Sequence, residues 1–237
     1  MGKLFLNDRI RDNAALFEAK GGEFITPLDE IIKKVKKVKG FIFDWDGVFN
    51  DGIKGLEKHS GFAEADSMAV HMLRYAYWKI HGEMPVVAII TGQDNQSAFH
   101  FAEREHLTAI FAGYKNKFEP VKIFCDQYGI AGDEIASVFD DIIDYPLAVS
   151  TAVRFMVRRE ASPLFKKYFT ENNLCDYLTY SQQPDFPVRE ICELIIGLWG
   201  NYDEALISRF RDPDTYSHYW DLRQSVTTRV YRNEKKL

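Results

Sequence analysis

Four short apolar runs, three of which end on an acid or a hydroxyl, constrain this chain more than any bulk property. Gly40-Phe41-Ile42-Phe43 runs into Asp44, and Val86-Val87-Ala88-Ile89-Ile90 runs into Thr91-Gly92. Thr108-Ala109-Ile110-Phe111 ends at Ala112-Gly113, and Ile135-Ala136-Ser137-Val138-Phe139 ends at Asp140-Asp141. A run with no polar alternation has no face for water, which is the pattern of strands buried on both sides of a parallel sheet. Between the runs the spacing turns helical. Met68, Met72, Leu73, Ala76 and Ile80 share a stripe over residues 66–81, and residues 94–106 and 117–128 repeat the pattern. Strands alternating with helices predict an α/β fold, a parallel sheet flanked by helices.

The remaining segments attach to that frame. Residues 1–25 are polar and weakly patterned, and Thr26-Pro27-Leu28-Asp29-Glu30 reads as a helix start with a capping hydroxyl, ended by Gly40. Residues 48–62, rich in Gly and polar side chains, read as a small hairpin flap after the first strand. Beyond Pro146 two short strands are expected near 153–157 and 176–180 and a strong helix near 187–199. One further helix and an irregular tail follow Tyr202. The division expected is an N-terminal helical extension over 1–39, a main domain over 40–200 and a C-terminal helix and tail over 201–237.

Composition narrows the class. A net charge of −5 gives no basic footprint for nucleic acid, and the densest basic stretch, Lys33-Lys34-Val35-Lys36-Lys37, reads as the solvated face of a short helix. Cys125, Cys175 and Cys192 are far apart and form no C-x-x-C pair, which fits reduced thiols and a cytoplasmic compartment. No apolar stretch follows the N-terminal basic residues as a secretory signal would, and none reaches the roughly 18 residues of a spanning helix. A soluble protein away from the membrane is expected.

The chemistry is expected where the strands end, because open α/β sheets bind ligands outside the carboxyl ends of their strands. Asp44 and Asp46, then Thr91, then Asp140 with Asp141 and Asp144 meet there. So many carboxylates repel one another unless a cation shares them, and hard oxygen ligands suit magnesium. Zinc is disfavoured, since the six histidines are scattered and make no paired spacing with cysteine. Asp44 and Asp46, two apart, point the same way in an extended backbone while Trp45 points elsewhere. One carboxylate can then attack phosphorus while the other protonates the leaving oxygen and later activates water. Thr91 and Lys117 are the candidates to neutralise and hold the phosphoryl oxygens.

The string Phe43-Asp44-Trp45-Asp46-Gly47-Val48-Phe49-Asn50-Asp51-Gly52 resembles the first motif of the haloacid-dehalogenase-like (HAD) phosphatases. Its form is most similar to the small capless branch containing 3-deoxy-manno-octulosonate-8-phosphate (KDO-phosphate) phosphatase. Ile89-Ile90-Thr91-Gly92, Asn116-Lys117 and Asp140-Asp141-Ile142-Ile143-Asp144-Tyr145-Pro146 resemble the second, third and fourth motifs, and Val188-Arg189-Glu190-Ile191-Cys192 the last helix of that branch. The resemblance covers about residues 40–200, in order and at compatible spacing. It implies a Rossmann-like parallel sheet with no large cap domain. Asp44 would be nucleophile and metal ligand, and Asp46 acid/base with its backbone carbonyl on the metal. Thr91, Gly92 and Lys117 would hold the phosphoryl group, Asp140 would complete a Mg2+ site, and Asp141 and Asp144 would support it. A phosphate monoester of a sugar or sugar acid is the implied substrate and a homo-oligomer, a tetramer by preference, the implied assembly, with the 48–62 flap at the interface.

Three positions depart from the branch. Phe139 replaces a Gly before the acidic pair, Gln93 replaces the Arg of Thr-Gly-Arg, and Ala65-Asp66-Ser67 replaces Arg-Asp-Gly. The hydrolytic residues are kept while two arginines suited to a carboxylate are lost. Two other functions compete with hydrolysis: a non-catalytic binder of a phospho-ligand, and a domain partnering a nucleotide-sugar enzyme of the acylneuraminate cytidylyltransferase type. Arg189 reads equally well as a salt-bridge residue, and Tyr216, Tyr219 and Trp220 read as packing anchors for the tail.

Overall fold

The computed structural model describes residues 2–54 and 61–233. Its eight described strands form one sheet in the order β1-β7-β6-β5-β2-β3-β4-β8. The central strands are β2 (Gly40–Asp44), β3 (Val86–Thr91), β4 (Ala109–Ala112), β5 (Ile135–Phe139) and β6 (Val153–Met156), all parallel. β7 (Tyr177–Leu178) continues them in parallel and pairs antiparallel with β1 (Glu23–Phe24), while β8 (Arg229–Arg232) lies parallel to β4 at the other edge.

The apolar runs fold as read because they fill both faces. Phe41, Phe43, Val87, Ile89 and Val138 join one core, and Ile42, Ala88, Ile90, Ile135 and Phe139 join the other. The first core is closed by α1 (Gly2–Ala19), α2 (Leu28–Val35), α3 (Glu64–His81) and α8 (Pro187–Trp199), the second by α5 (Phe118–Tyr128), α6 (Tyr145–Ser150) and α7 (Pro163–Glu171). α4 (Gln96–Arg104), α9 (Tyr202–Arg211) and α10 (Pro213–Gln224) complete the helices among the described residues. Phe139 is fully buried against Phe169, ring centroids 5.7 Å apart, so it packs into the core rather than narrowing the strand ends.

Several local expectations change. The Thr26 hydroxyl does not cap α2; it donates to Asp176 Oδ1 at 2.6 Å, and Pro27 stands at the cap. α2 stops at Val35, before Gly40, whose missing Cβ leaves room for the Phe124 ring 3.0 Å away. The tail holds two helices and an edge strand instead of one helix and an irregular end. The described part of the expected flap, 48–54 and 61–62, carries no hairpin strand pair; it holds a tight turn, with Phe49 N donating to Trp45 O at 2.9 Å and an isolated bridge between Asp46 and Asn50. Residues 55–60 of that expectation, Leu56 included, lie outside the described residues. Among the described residues no helix is long and apolar enough to cross a membrane.

Chain order fixes the site. From β2 the chain adds β3 and β4 on one side, then returns to add β5, β6 and β7 on the other. β2 is therefore the point where strand order reverses, and its carboxyl end opens the crevice in which such sheets bind ligands.

Candidate active site

Asp44 closes β2 and is 3% exposed; Lys117, fully buried, stands at the N-cap of α5 and donates to Asp44 Oδ1 at 2.5 Å. Lys117 also donates to Asp144 Oδ1, and Asp144 is fully buried in the turn after β5. Asp144 Oδ2 accepts from the backbone N–H groups of Asp140 (3.3 Å) and Asp141 (3.1 Å), so both its oxygens are engaged. Asp140, 1% exposed, begins that turn. Ligand oxygens of Asp44, Asp140 and Asp144 lie within 4.8 Å of one another and could hold a metal ion.

Two cations, the buried Lys117 and the part-exposed Arg159, face three buried carboxylates, which leaves excess negative charge. Burial pushes the Asp44 carboxyl well above its usual range, and the neighbouring Asp144 adds to the shift. Burial likewise raises Asp140 to about 7, helped by Asp144 and opposed by Arg159. For Lys117 burial favours the neutral amine, but Asp144 and Asp44 outweigh it and raise the ammonium above its ordinary value. A charged lysine is thus fixed beside the candidate nucleophile.

The residues present fit a divalent cation. Asp140 Oδ1 is buried without a hydrogen-bond partner among the described residues, an orphan that a cation would satisfy. Gly47, at φ +88°, lets Asp140 and Arg159 come close to the backbone, since a Cβ there would collide with Asp140 Oδ2 and Arg159 Nη2.

The other expected residues divide into near and far. Thr91 is buried at the end of β3, next to β2 in the sheet, and its Oγ1 accepts from Gln93 N at 3.4 Å. Gly92 follows it, half-buried, and Gln93 is exposed. Asp46 lies beyond the strand, past the buried Trp45, and its side chain turns to the surface to pair with Lys54, leaving Oδ1 buried without a partner. Asp141 is exposed and caps its own turn, accepting from Ile142 N at 2.7 Å. Arg189 pairs with Glu193 on α8, and its backbone N–H donates to the buried Asp66 at 2.9 Å. Ala65 lies in the first turn of α3.

Sequence reasoning missed Arg159. Its guanidinium, 37% exposed, grips Asp140 Oδ2 through Nε and Nη2 and lines a cavity of about 320 Å³ with Gly47, Asp51, Ser162 and Gln183. The signal was present. Val153-Arg154-Phe155-Met156-Val157 is a strand run broken only by Arg154, and the next residues are Arg158 and Arg159. Inspecting the carboxyl end of this strand, as of the other four, finds it.

No protein-family model matches the chain. Individual proteins do. It is 26% identical over 180 residues to 3-deoxy-D-manno-octulosonate 8-phosphate phosphatase KdsC of Escherichia coli K12, covering 74% of this chain and 88% of that one. Among solved structures, a putative HAD superfamily (subfamily III A) hydrolase from Legionella pneumophila superposes with TM-score 0.64 at 27% identity, over 77% of this chain and 95% of the other. The chain has the fold and the ordered motifs of the HAD-like phosphohydrolases, which are phosphoric monoester hydrolases, and is similar to them. Within that class it resembles the KDO-8-phosphate phosphatases. The Moraxella catarrhalis member, solved with magnesium ion, phosphate ion and KDO, superposes with TM-score 0.62 at 26% identity, over 77% of this chain and 98% of the other.

Proposed function

We propose that this chain hydrolyses a phosphate monoester of a sugar or sugar acid, with magnesium, through a phosphoaspartate on Asp44. The observation that carries the reading is the buried Asp44–Lys117–Asp144 cluster beside the unpartnered Asp140 Oδ1. Asp44 and Asp140, with the backbone carbonyl of Asp46, would hold the ion, which would supply positive charge to offset the phosphoryl oxygens.

The chain's own groups do the rest. Lys117 and the Thr91 hydroxyl hold the phosphoryl oxygens and orient phosphorus toward Asp44. An Asp44 oxygen bonds to phosphorus as the ester P–O bond breaks, and Asp46 gives its proton to the leaving alkoxide. Asp46 then takes a proton from water, the hydroxide attacks phosphorus, and the bond to Asp44 breaks to release phosphate and regenerate the carboxylate. Asp141 and Asp144 hold the turn that carries Asp140.

The capless domain, residues 40–200, works in a homo-oligomer, probed by light scattering at assay concentration. Phe118, Ile142 and Ile143 are exposed beside Lys117 and Asp140 and support a neighbouring subunit closing the pocket. A panel of phosphate monoesters assayed with magnesium, with Asp44→Asn as the blank, tests the reading. Turnover lost in chelator and restored by magnesium is expected; full activity in excess chelator overturns it.

A further inference from the structure

We propose that a second site, bounded by α3, the end of α4, α9 and α10, binds a small oxyanion, a carboxylate or a phosphate. It is a cavity of about 270 Å³ that shares no lining residue with the Asp44 cluster. Its size is near the low end for ligand sites, which suits a small molecule.

Charge is the first argument. Four guanidinium groups gather here, Arg104, Arg209 and Arg223 on the wall and Arg74 behind it, while the described carboxylates are Glu64 and Glu105. Those two are already engaged. Glu64 accepts from Arg104 at 2.7 Å, and Glu105 accepts from Arg223 at 2.7 Å and from the Ser67 hydroxyl at 2.7 Å. Among the described residues Arg74 donates to the carbonyls of Glu105 and His106 alone. Arg209 forms no ion pair among the described residues. Its Nη1 faces the thioethers of Met68 (2.9 Å) and Met72 (3.5 Å), and its guanidinium lies 5.3 Å from the centroid of the Tyr216 ring. Thioether sulfur is a weak acceptor, so among the described residues this charge is met by the Tyr216 and Phe210 rings and by no carboxylate. In a chain of net charge −5, such a concentration of unbalanced cations calls for a specific reason.

Hydrogen bonding is the second. Arg223 is 4% exposed, lines the cavity, and its Nε is buried with no partner among the described residues. An unsatisfied donor on a buried cation is costly, and an oxyanion in the cavity would satisfy it. The Trp220 ring, with its centroid 5.0 Å from the Arg223 guanidinium, steadies that side chain. His71 completes the wall and stays neutral. Burial first, and then Arg223, Arg209 and Arg74, depress it to about 3, so it adds no charge and bonds the Tyr216 hydroxyl at 2.9 Å.

The test follows the arginine Nε–H resonances of the full ¹⁵N-labelled chain as inorganic phosphate, and separately citrate, is added to millimolar concentration. Variants assign the resonances of Arg209 and Arg223. Both should shift together and saturate with one constant, with no change in Asp44→Asn. Arg209→Met should weaken binding about 10- to 100-fold, as loss of a charged hydrogen bond does. Arg209→Lys, which keeps the charge without the planar fork, should weaken it less. A response to phosphate alone or to citrate alone names the anion and supports the site. Resonances unmoved by either, or shifts with the same constant in Arg209→Met, overturn it.

Discussion

Asp44 and Asp176 are both buried aspartates on the same sheet, and the protein treats them in opposite ways. Asp176 is surrounded by donors. Its Oδ1 accepts from Thr26 (2.6 Å), Lys34 (2.7 Å) and Arg154 Nη2 (3.1 Å), and its Oδ2 from the Arg154 backbone N–H and Nε, each at 2.8 Å. Burial alone would raise its carboxyl, but Arg154, Lys34 and Thr26 outweigh that and hold it below the usual range. Asp44 has one cation shared with Asp144, and burial raises it well above the usual range. A fully bonded acid ties β6 and β7 to α2. An under-bonded one, next to an orphan oxygen, keeps its affinity for something the chain does not supply.

The largest effect that could break this contrast is on turnover. Asp44→Asn should lower it by at least about 10⁴-fold, as loss of a nucleophile does. Its melting temperature should hold or rise, because a carboxyl whose pKa is raised by folding destabilises the folded state when ionised. A variant that melts earlier yet still turns over would make Asp44 another Asp176. Asp46→Asn should slow turnover by about 10²–10⁴-fold, the range of general acid–base catalysis, and an aryl phosphate whose leaving group needs no proton should recover part of the loss. No recovery would remove the acid role.

Asp176→Asn should do the reverse. It should cost about 3–5 kcal/mol of stability, since breaking one side of a buried pair strands the other charge, and leave kcat near its wild-type value in the folded fraction. The loss also carries a pH signature. The folded pKa of Asp176 lies below the unfolded value, so between the two the unfolded chain binds more protons. The advantage of wild type over the variant is therefore full above about pH 4 and shrinks as pH falls through the folded pKa. Denaturant titrations at several pH values read it directly, and a gap that widens in acid would reverse the assignment.

The contrast also separates what the sequence reveals from what it conceals. β2, β3, β4 and β5 were legible to within a residue because each fills both cores and carries no charge before its end. Asp44, Thr91 and Asp140 were legible for the same reason, being where those runs stop, and Asp144 lies in the turn that follows Asp140. β1 and β8 were not. They are edges of two and four residues whose side chains are mostly part-exposed or exposed, held by the neighbouring strand rather than by any pattern of their own. The direction of Asp46 was not legible either, because β2 ends at Asp44 and the extended geometry that would align the two acids stops there. Asp176 gave no sign of its role, since its donors come from residues 26, 34 and 154 and meet it only in the fold.

The smallest and sharpest test compares the two guanidiniums. Arg154 lies within β6 near its start and Arg159 lies just beyond its end, and each grips one buried aspartate. Arg154 joins a saturated set on Asp176, whereas Arg159 takes one oxygen of Asp140 and leaves the other without a partner. Arg159 therefore lends positive charge to a carboxylate that a divalent cation would also use. Removing it should leave Asp140 more attractive to the ion. We expect Arg159→Met to tighten Mn2+ binding, measured by electron paramagnetic resonance of the free ion, by about ten-fold, a modest value because the pair is partly open to solvent. Arg154→Met should leave Mn2+ binding unchanged and lower the melting temperature. Unchanged or weaker ion binding in Arg159→Met would mean that its guanidinium builds the site instead of competing for it.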